Sequence, residues 1–145
     1  MRYAFDVPGE PRGKGRPRAA VFAGHAKVYT PEATASYENR VALAFRQAYP
    51  LAEPSRRPLA VTLTFSFPLN KGDYTGKGFL GKHGKAKLSG KERHAKKPDV
   101  DNLVKSVLDG LNGIAFMDDS QICCITAAKR YATSPSCRVI ICELD

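Results

Sequence analysis

The most regular pattern along the chain is an alternation of apolar and polar residues over 59–68, LAVTLTFSFP. Leu59, Val61, Leu63, Phe65 and Phe67 fall on one face of this stretch, and a period of two predicts a half-buried β-strand. Less regular runs predict further strands at residues 2–8, 121–132 and 137–144, and a short extended piece at 28–31.

Two other segments carry apolar residues at helical spacing. The segment 31–50 predicts a helix with Thr30 as N-cap and Pro31 in the first turn, as those residue types favour. Its apolar stripe consists of Tyr37, Val41, Ala44, Phe45 and Ala48. The segment 101–112 predicts a second helix, which ends at Asn112-Gly113 and whose apolar face consists of Leu103, Val104, Val107, Leu108 and Leu111.

These elements follow one another as strand, basic loop, helix, strand, basic loop, helix, strand, strand. We therefore expect a small α+β fold, with residues 1–145 in a single domain and a mixed or antiparallel sheet flanked by two helices. A chain of 145 residues is long enough to bury a core of its own.

Two basic segments lie between these elements. Residues 12–18 are rich in Gly, Pro and Arg, and residues 69–97 contain nine Lys or Arg against two acidic residues, Asp73 and Glu92. Regular Gly and Pro predict loops, and we expect 69–93 to be a long basic loop that is mobile in the free protein. With a formal net charge of +9, such loops favour nucleic acid as the partner. A solvated insertion without a partner is the alternative.

Other classes of protein fit the sequence poorly. No apolar run approaches the ~20 residues that span a bilayer, and the start of the chain lacks the pattern of a signal peptide, so we expect a soluble cytoplasmic protein without membrane contact. The four cysteines, Cys123, Cys124, Cys137 and Cys142, form no CxxC pair. Buried, reduced thiols are therefore expected, and a zinc site is not.

Against the basic background, residues 94–122 gather five carboxylates: Asp99, Asp101, Asp109, Asp118 and Asp119. In an extended KPDVD segment Asp99 and Asp101 would lie on one face, and Asp101 is also expected as the N-cap of the following helix. Lys105 would follow Asp101 by one turn. Carboxylates from this pair and from the Asp118-Asp119 turn suit a hard ion such as Mg²⁺. The alternatives are an ordinary helix cap with an exposed ion pair, and ordinary turn chemistry.

A metal held by carboxylates beside a lysine, with basic loops around it, suits phosphodiester cleavage. At these residues the sequence resembles the RusA family of Holliday junction resolvases. The resemblance rests on KPDVDNLVKSVLDGLNG, on DDSQI and the strand ending in AKRY, and on the N-terminal GEPRGKGRPR and YTP. It spans most of the chain, although residues 69–93 match no part of the family pattern.

The resemblance implies a homodimeric endodeoxyribonuclease that resolves four-way DNA junctions by paired symmetric nicks, in recombination and repair. It implies Mg²⁺ as the cofactor, with Mn²⁺ as a substitute, and no small-molecule cofactor. By motif, Asp99, Asp101, Lys105 and Asp119 match the family's catalytic residues, and Asp99, Asp101, Asp118 and Asp119 match its metal site. The resemblance and the small size fit a bacterial, prophage-borne gene.

The basic residues nearest these motifs are the candidates for DNA contact. They are Arg12, Lys14, Arg16 and Arg18 of the N-terminal loop, and Lys96, Lys97, Lys129 and Arg130 beside the acidic cluster.

Three alternatives to a junction resolvase remain open from the sequence. A protein that binds junctions without cutting would need the same positive charge, but it would have no use for the carboxylates. A nuclease of flaps, other branched DNA or RNA would share the motif. A phosphotransferase or prenyl-type enzyme is disfavoured, because the chain has one Asp-Asp pair, in a turn, and too few residues for a large apolar pocket.

Overall fold

The computed structural model describes residues 1–15, 18–22, 24–29 and 32–145, and the side chains of 18–22, 25–29 and 33 lie outside this description. The strands are β1 (Arg2–Pro8), β2 (Arg18–Phe22), β3 (His25–Tyr29), β4 (Leu59–Phe67), β5 (Ile122–Tyr131) and β6 (Ser136–Glu143). The helices are α1 (Glu32–Ala48), α2 (Lys82–Ser89) and α3 (Val100–Leu111), with 3₁₀ turns at Lys71–Asp73 and Asp119–Gln121. The predicted α+β class is confirmed.

Four strands form a mixed sheet in the order β1-β6-β4-β5. The pairs β1/β6 and β6/β4 are antiparallel, whereas β4 and β5 are parallel. A parallel pair needs a long crossover, and here the crossover is residues 68–121. It carries α2, α3 and all five clustered carboxylates, so the acidic residues are held between two strands of one sheet.

One face of the sheet packs against α1 and α3. The inward side chains of β4, which the alternation predicts, are 0–3% exposed. The helices cover them with Tyr37, Val41 and Phe45 from α1 and with Leu103, Val107 and Leu111 from α3. Both helical stripes are confirmed except at the C-terminal end of α1, where Ala48 is exposed.

Helices α1 and α3 approach each other closely at Gly110. A Cβ atom at this position would lie 2.9 Å from the Glu38 carbonyl oxygen and 3.1 Å from the Val41 Cβ. Because Gly110 has no side chain, the backbone of α1 can pack directly against α3. This close packing sets the distance between Glu38 and the polar face of α3.

The expectation of a long loop at 69–93 is wrong, because the segment contains α2 and a 3₁₀ turn. Lys87 of α2 is only 9% exposed, and its ammonium donates to the carboxylate of Asp73 at 2.9 Å. The same ammonium lies 4.9 Å from the centroid of the Tyr131 ring. Helix α2 packs on the rest of the protein through a buried lysine and not through an apolar stripe. Its sequence is therefore as basic as that of a solvated loop and carries no helical pattern of apolar residues.

The other differences lie at the N-terminal loop and the cysteines. Strands β2 and β3 pair as an antiparallel hairpin where only a loop and a short extended piece were expected. Arg16, Thr30 and Pro31 lie outside the described residues, so the predicted helix cap and one predicted DNA contact stay predictions. Cys123 and Cys124 are exposed and not buried as expected, because they lie on β5, one of the two edge strands of the sheet.

None of the helices in the described parts of the chain has the length and the apolar character needed to cross a membrane.

Candidate active site

Helix α3 begins one residue earlier than expected, and this changes the relation between the first two aspartates. Asp99 is the N-cap, with extended backbone at φ −67° and ψ 141°, and the helix starts at Val100. The expectations that Asp101 caps the helix and that both aspartates share an extended segment are therefore wrong. Asp101 lies in the first turn of α3, where a carboxylate is stabilised by the positive end of the helix dipole.

The chain that leads to Asp99 is fixed at two points. His94 is 6% exposed and stacks on Phe67 with ring centroids 4.2 Å apart. Burial, together with the nearby charge of Lys129, holds the pKa of His94 below its usual value. From β5, the Lys129 ammonium donates to the carbonyl oxygens of Lys96 at 2.6 Å and Pro98 at 2.9 Å. Asp99 thus follows an anchored segment.

Lys105 stands on the exposed side of α3 between two carboxylates. Its ammonium lies 3.2 Å from Oδ1 of Asp109, one helical turn further along, and 3.7 Å from Oδ2 of Asp119. The hydrogen bond with Asp109 is the main cause of a raised pKa of Lys105. The lysine is therefore a cation at neutral pH and points toward the C-terminal half of the helix.

The Asp118-Asp119 turn is held by its own side chains and by Gln121. The carboxylate of Asp118 accepts hydrogen bonds from the backbone N–H and the hydroxyl of Ser120, and these bonds hold the pKa of Asp118 below its usual value. Gln121 accepts from the Asp118 N–H at 2.8 Å and donates to the carbonyl oxygens of Ser55 and Arg57, both at 2.9 Å. Asp118 is thus occupied within the turn, while Asp119 faces Lys105.

The four predicted metal ligands do not converge on one point. Asp101 lies two turns before Asp109 on α3, which corresponds to about 12 Å along the axis, and Asp119 reaches the helix on the side of Lys105 and Asp109. Among the described residues, no group of three or more Asp, Glu, His or Cys side chains is arranged to hold a metal ion. The donors suit Mg²⁺ chemically, since all four are carboxylates, but they form two separate pairs.

The N-terminal loop packs onto α3 and is not free of the fold. The Ser106 hydroxyl donates to the Arg12 carbonyl at 2.7 Å, and the Lys14 N–H donates to the Asn102 carbonyl at 2.9 Å. A Cβ on Gly13 would lie 3.3 Å from the Asn102 Cβ. The first part of the loop, up to Gly15, therefore packs against α3, the helix that carries Asp101 and Asp109.

The residues predicted to contact DNA differ in solvent exposure and in whether their charged groups already have partners within the protein. Arg12, Lys96, Lys97 and Arg130 are exposed, although the Nε of Arg130 donates to the Ser66 hydroxyl at 2.9 Å. Lys129 is committed to two backbone carbonyls, and Lys14 is paired with Glu38 and Asp109. The backbone of Arg18 lies in β2, and its side chain, like all of Arg16, lies outside the described residues.

Comparison with known proteins identifies the family. Residues 8–142 match the family described as Endodeoxyribonuclease RusA. The chain belongs to the RusA endodeoxyribonuclease family. RusA membership implies endodeoxyribonuclease activity and binding to branched DNA, and RusA nucleases are generally dependent on a divalent metal. The chain is also 34% identical over 141 residues to "Uncharacterized protein YqaN" of Bacillus subtilis (strain 168). The aligned region covers 97% of this chain and 96% of that relative.

Sequence reasoning named Asp109 as part of the cluster but gave it no role, and it did not consider Glu38 at all. The spacing of Lys105 and Asp109 at i and i+4 predicts their ion pair, so that contact could have been predicted from the sequence. The pairing of Glu38 with Lys14 joins residues 24 positions apart, and no local pattern indicates it.

Proposed function

We propose that this protein is a Mg²⁺-dependent endonuclease that resolves four-way DNA junctions by paired nicks, acting in DNA recombination and repair. One observation carries the proposal: in a chain that belongs to the RusA family, the Lys105 ammonium lies between the carboxylates of Asp109 and Asp119, one helical turn after Asp101 on α3. A binding protein without catalysis would have no use for the exposed carboxylates of Asp99 and Asp101, because they repel DNA phosphate unless a metal ion binds to them.

In this proposal Asp99, Asp101 and Asp119 are the metal ligands and Asp118 fixes the turn that presents Asp119. Mg²⁺ in enzymes is commonly bound by one or two carboxylates, with water and substrate phosphate as the remaining ligands. The two separate pairs of aspartates in the free chain are compatible with that mode of binding. The hydrogen bonds that Asp118 accepts from Ser120 support its assignment to the turn.

The reaction is hydrolysis of a phosphodiester. The oxygen of a water molecule bonds to phosphorus and loses a proton, and negative charge grows on the phosphate oxygens. The bond from phosphorus to one deoxyribose oxygen then breaks, and that oxygen takes up a proton and leaves as a hydroxyl group. A bound divalent ion would activate the water and neutralise part of that charge. Lys105 supplies a second positive charge and, at neutral pH, can stabilise either the phosphorane-like transition state or the departing oxygen.

Phosphate contacts outside the reaction centre are assigned to the exposed basic residues Arg12, Lys96, Lys97 and Arg130. We do not assign a phosphate contact to Lys14, because its ammonium already pairs with two carboxylates at 2.6 and 3.0 Å. We do not assign one to Lys129 either, because its hydrogen bonds to backbone carbonyls hold the segment before Asp99. Arg16 and Arg18 stay predictions.

Paired nicks require two active sites, so the proposal includes a homodimer. Strand β5 supports it, because β5 is the last strand in the sheet order and, in the part of the chain that the structure describes, pairs with β4 alone. It carries Cys123, Cys124 and Ile125 at its surface. A long apolar edge is a surface that proteins usually cover, and a second copy would cover it with the same surface, as two-fold symmetry requires.

The test is cleavage of labelled DNA by the wild-type chain in Mg²⁺, Mn²⁺, Ca²⁺ or EDTA. The substrates are a synthetic four-way junction, a flap and a linear duplex with the same arm sequences. We expect symmetric nicks in the junction with Mg²⁺ or Mn²⁺, and an intact duplex. Equal rates on flap and junction would support a broader branched-DNA nuclease, and tight junction binding without cleavage in any ion would support a binding protein.

A further inference from the structure

The candidate active site is joined to the N-terminal loop by a row of alternating charges. The Lys14 ammonium lies 2.6 Å from Oε1 of Glu38 on α1 and 3.0 Å from Oδ2 of Asp109 on α3. The other oxygen of Asp109, Oδ1, lies 3.2 Å from the Lys105 ammonium, which in turn approaches Asp119 at 3.7 Å. Four separate parts of the chain therefore meet through five charged side chains.

The inner part of this row is shielded from solvent and the outer part is not. The side chains of Lys14, Glu38 and Asp109 are 20–21% exposed, whereas those of Lys105 and Asp119 are 54% and 36% exposed. Partly buried ion pairs are less screened than surface pairs. Burial disfavours the charged form of Lys14, but hydrogen bonds from its ammonium to Glu38 and Asp109 outweigh that effect, and the pKa of Lys14 is raised. The positively charged Lys14 side chain thus binds the oxygen of Asp109 that Lys105 does not contact.

We propose that Asp109 and Lys14 are positioning residues for Lys105, which they hold at the reaction centre through the contact between Asp109 and the Lys105 ammonium. The inference rests on the proposed nuclease function. If Asp119 turns to a bound cation, Lys105 loses that partner and Asp109 is its remaining carboxylate contact in the described structure. Lys14 in turn fixes the orientation of Asp109, because each of the two lysines takes a different oxygen.

The inference also gives the N-terminal loop a specific task. Lys14 was predicted to contact DNA, but its main chain is fixed to α3 by the hydrogen bond to Asn102 and its side chain points at carboxylates. Its positive charge acts inside the protein, on the geometry of the reacting lysine.

The test compares single-turnover junction cleavage, junction affinity and thermal unfolding for Asp109→Asn, Asp109→Glu, Lys14→Met and Lys14→Arg. Asp109→Asn is expected to lower the cleavage rate at saturating Mg²⁺ by about 10- to 100-fold, the usual effect of removing a residue that orients a reacting group. Junction affinity should stay within about threefold of wild type, since no phosphate contact is removed. Lys14→Met should reduce the rate in the same way, whereas the charge-conserving variants Asp109→Glu and Lys14→Arg should retain most of the wild-type rate.

Glu38→Gln is the matched control, because it breaks the same ion-pair row on the side away from Lys105. It should lower the melting temperature by less than Lys14→Met does, because it removes one ion pair and not two, and it should leave the cleavage rate within about threefold of wild type. A purely structural role would instead lower stability and rate together in Asp109→Asn, Lys14→Met and Glu38→Gln.

Three results would overturn the inference. The first is wild-type cleavage with an equal rate in Asp109→Asn. The second is a rate loss in Asp109→Asn that excess Mg²⁺ restores, since Asp109 would then be a metal ligand. The third is a loss of junction affinity in Lys14→Met as large as the loss of rate, since Lys14 would then be a DNA contact. A wild-type chain that cuts no DNA would instead refute the proposed function, which is a separate outcome.

Discussion

Replacement of Gly110 by alanine tests whether the close approach of α1 and α3 holds the candidate site together. The added methyl group would lie 2.9 Å from the Glu38 carbonyl oxygen, 3.1 Å from the Val41 Cβ and 3.2 Å from the Glu38 Cα. These contacts are with backbone and with a β-branched side chain, so a simple side-chain rotation cannot relieve them. The two helices would have to separate.

The expected cost follows from two opposing effects. Overpacking of a well-packed interface costs about 1–3 kcal/mol, while alanine gains up to ~1 kcal/mol over glycine inside a helix. We therefore expect the free energy of unfolding to fall by about 1–2 kcal/mol, and Tm to fall by roughly 3–6 °C for a chain of this length. Cleavage should slow as well, because α1 also holds the N-terminal loop, which carries Lys14, through the hydrogen bond from the Gly15 N–H to the Thr34 hydroxyl.

The assay is urea unfolding followed by circular dichroism, with Gly72→Ala as the control. Gly72 has no neighbouring atom within 4 Å of an added Cβ, so alanine there should be neutral or stabilising by up to ~1 kcal/mol. A Gly110→Ala variant as stable as wild type, or more stable, would refute the argument that this glycine sets the helix separation.

Three further predictions concern other parts of the molecule. The hydrogen bond from Lys87 holds the pKa of Asp73 below its usual value, so their ion pair should stabilise the fold above about pH 4 and lose that effect as the pH falls further. Asp73→Asn should accordingly be less stable at neutral pH and show a flatter dependence of Tm on pH between 5 and 3; equal slopes would contradict this. Ile125→Lys, at a side chain 46% exposed on β5, should give a folded monomer by sedimentation where wild type sediments as a dimer, and an unchanged dimer would put the interface elsewhere. Lys97→Ala should lower the slope of log K against log salt for junction binding by about 1, and an unchanged slope would exclude a phosphate contact.

Much of the fold follows from periodicity, and the exceptions have physical causes. The period-two face of β4 and the helical stripe of α3 predict their elements because both bury an apolar face in the same core. Helix α2 was missed because its attachment is the buried pair of Lys87 with Asp73, a contact that has no apolar signature. The β2–β3 hairpin was missed because its strands form a separate two-stranded sheet outside the main sheet.

The candidate site was predicted as a set of residue types, and its geometry was not. The sequence places Asp99, Asp101 and Lys105 around the start of a helix, but it does not fix which residue is the cap; the cap is Asp99, two residues before the expected Asp101, so Asp101 lies in the first turn. The pairing of Lys14 with Glu38 and Asp109 depends on how the N-terminal loop and α1 pack on α3. Such tertiary contacts are set by the whole fold, so the sequence predicts the charges and not their partners.

The most direct test of the proposed nuclease site is single-turnover cleavage of a four-way junction in Mg²⁺ by wild type, Asp101→Asn and Asp6→Asn. Asp101 has no ion-pair partner among the described residues, so its replacement should leave the fold intact. Asp6 is a matched exposed carboxylate on β1, paired with Arg138 at 2.9 Å outside the candidate site. We predict symmetric nicks by wild type and Asp6→Asn at similar rates, and a loss of roughly 100-fold or more in Asp101→Asn with junction affinity retained. Cleavage by Asp101→Asn at the wild-type rate would contradict the account.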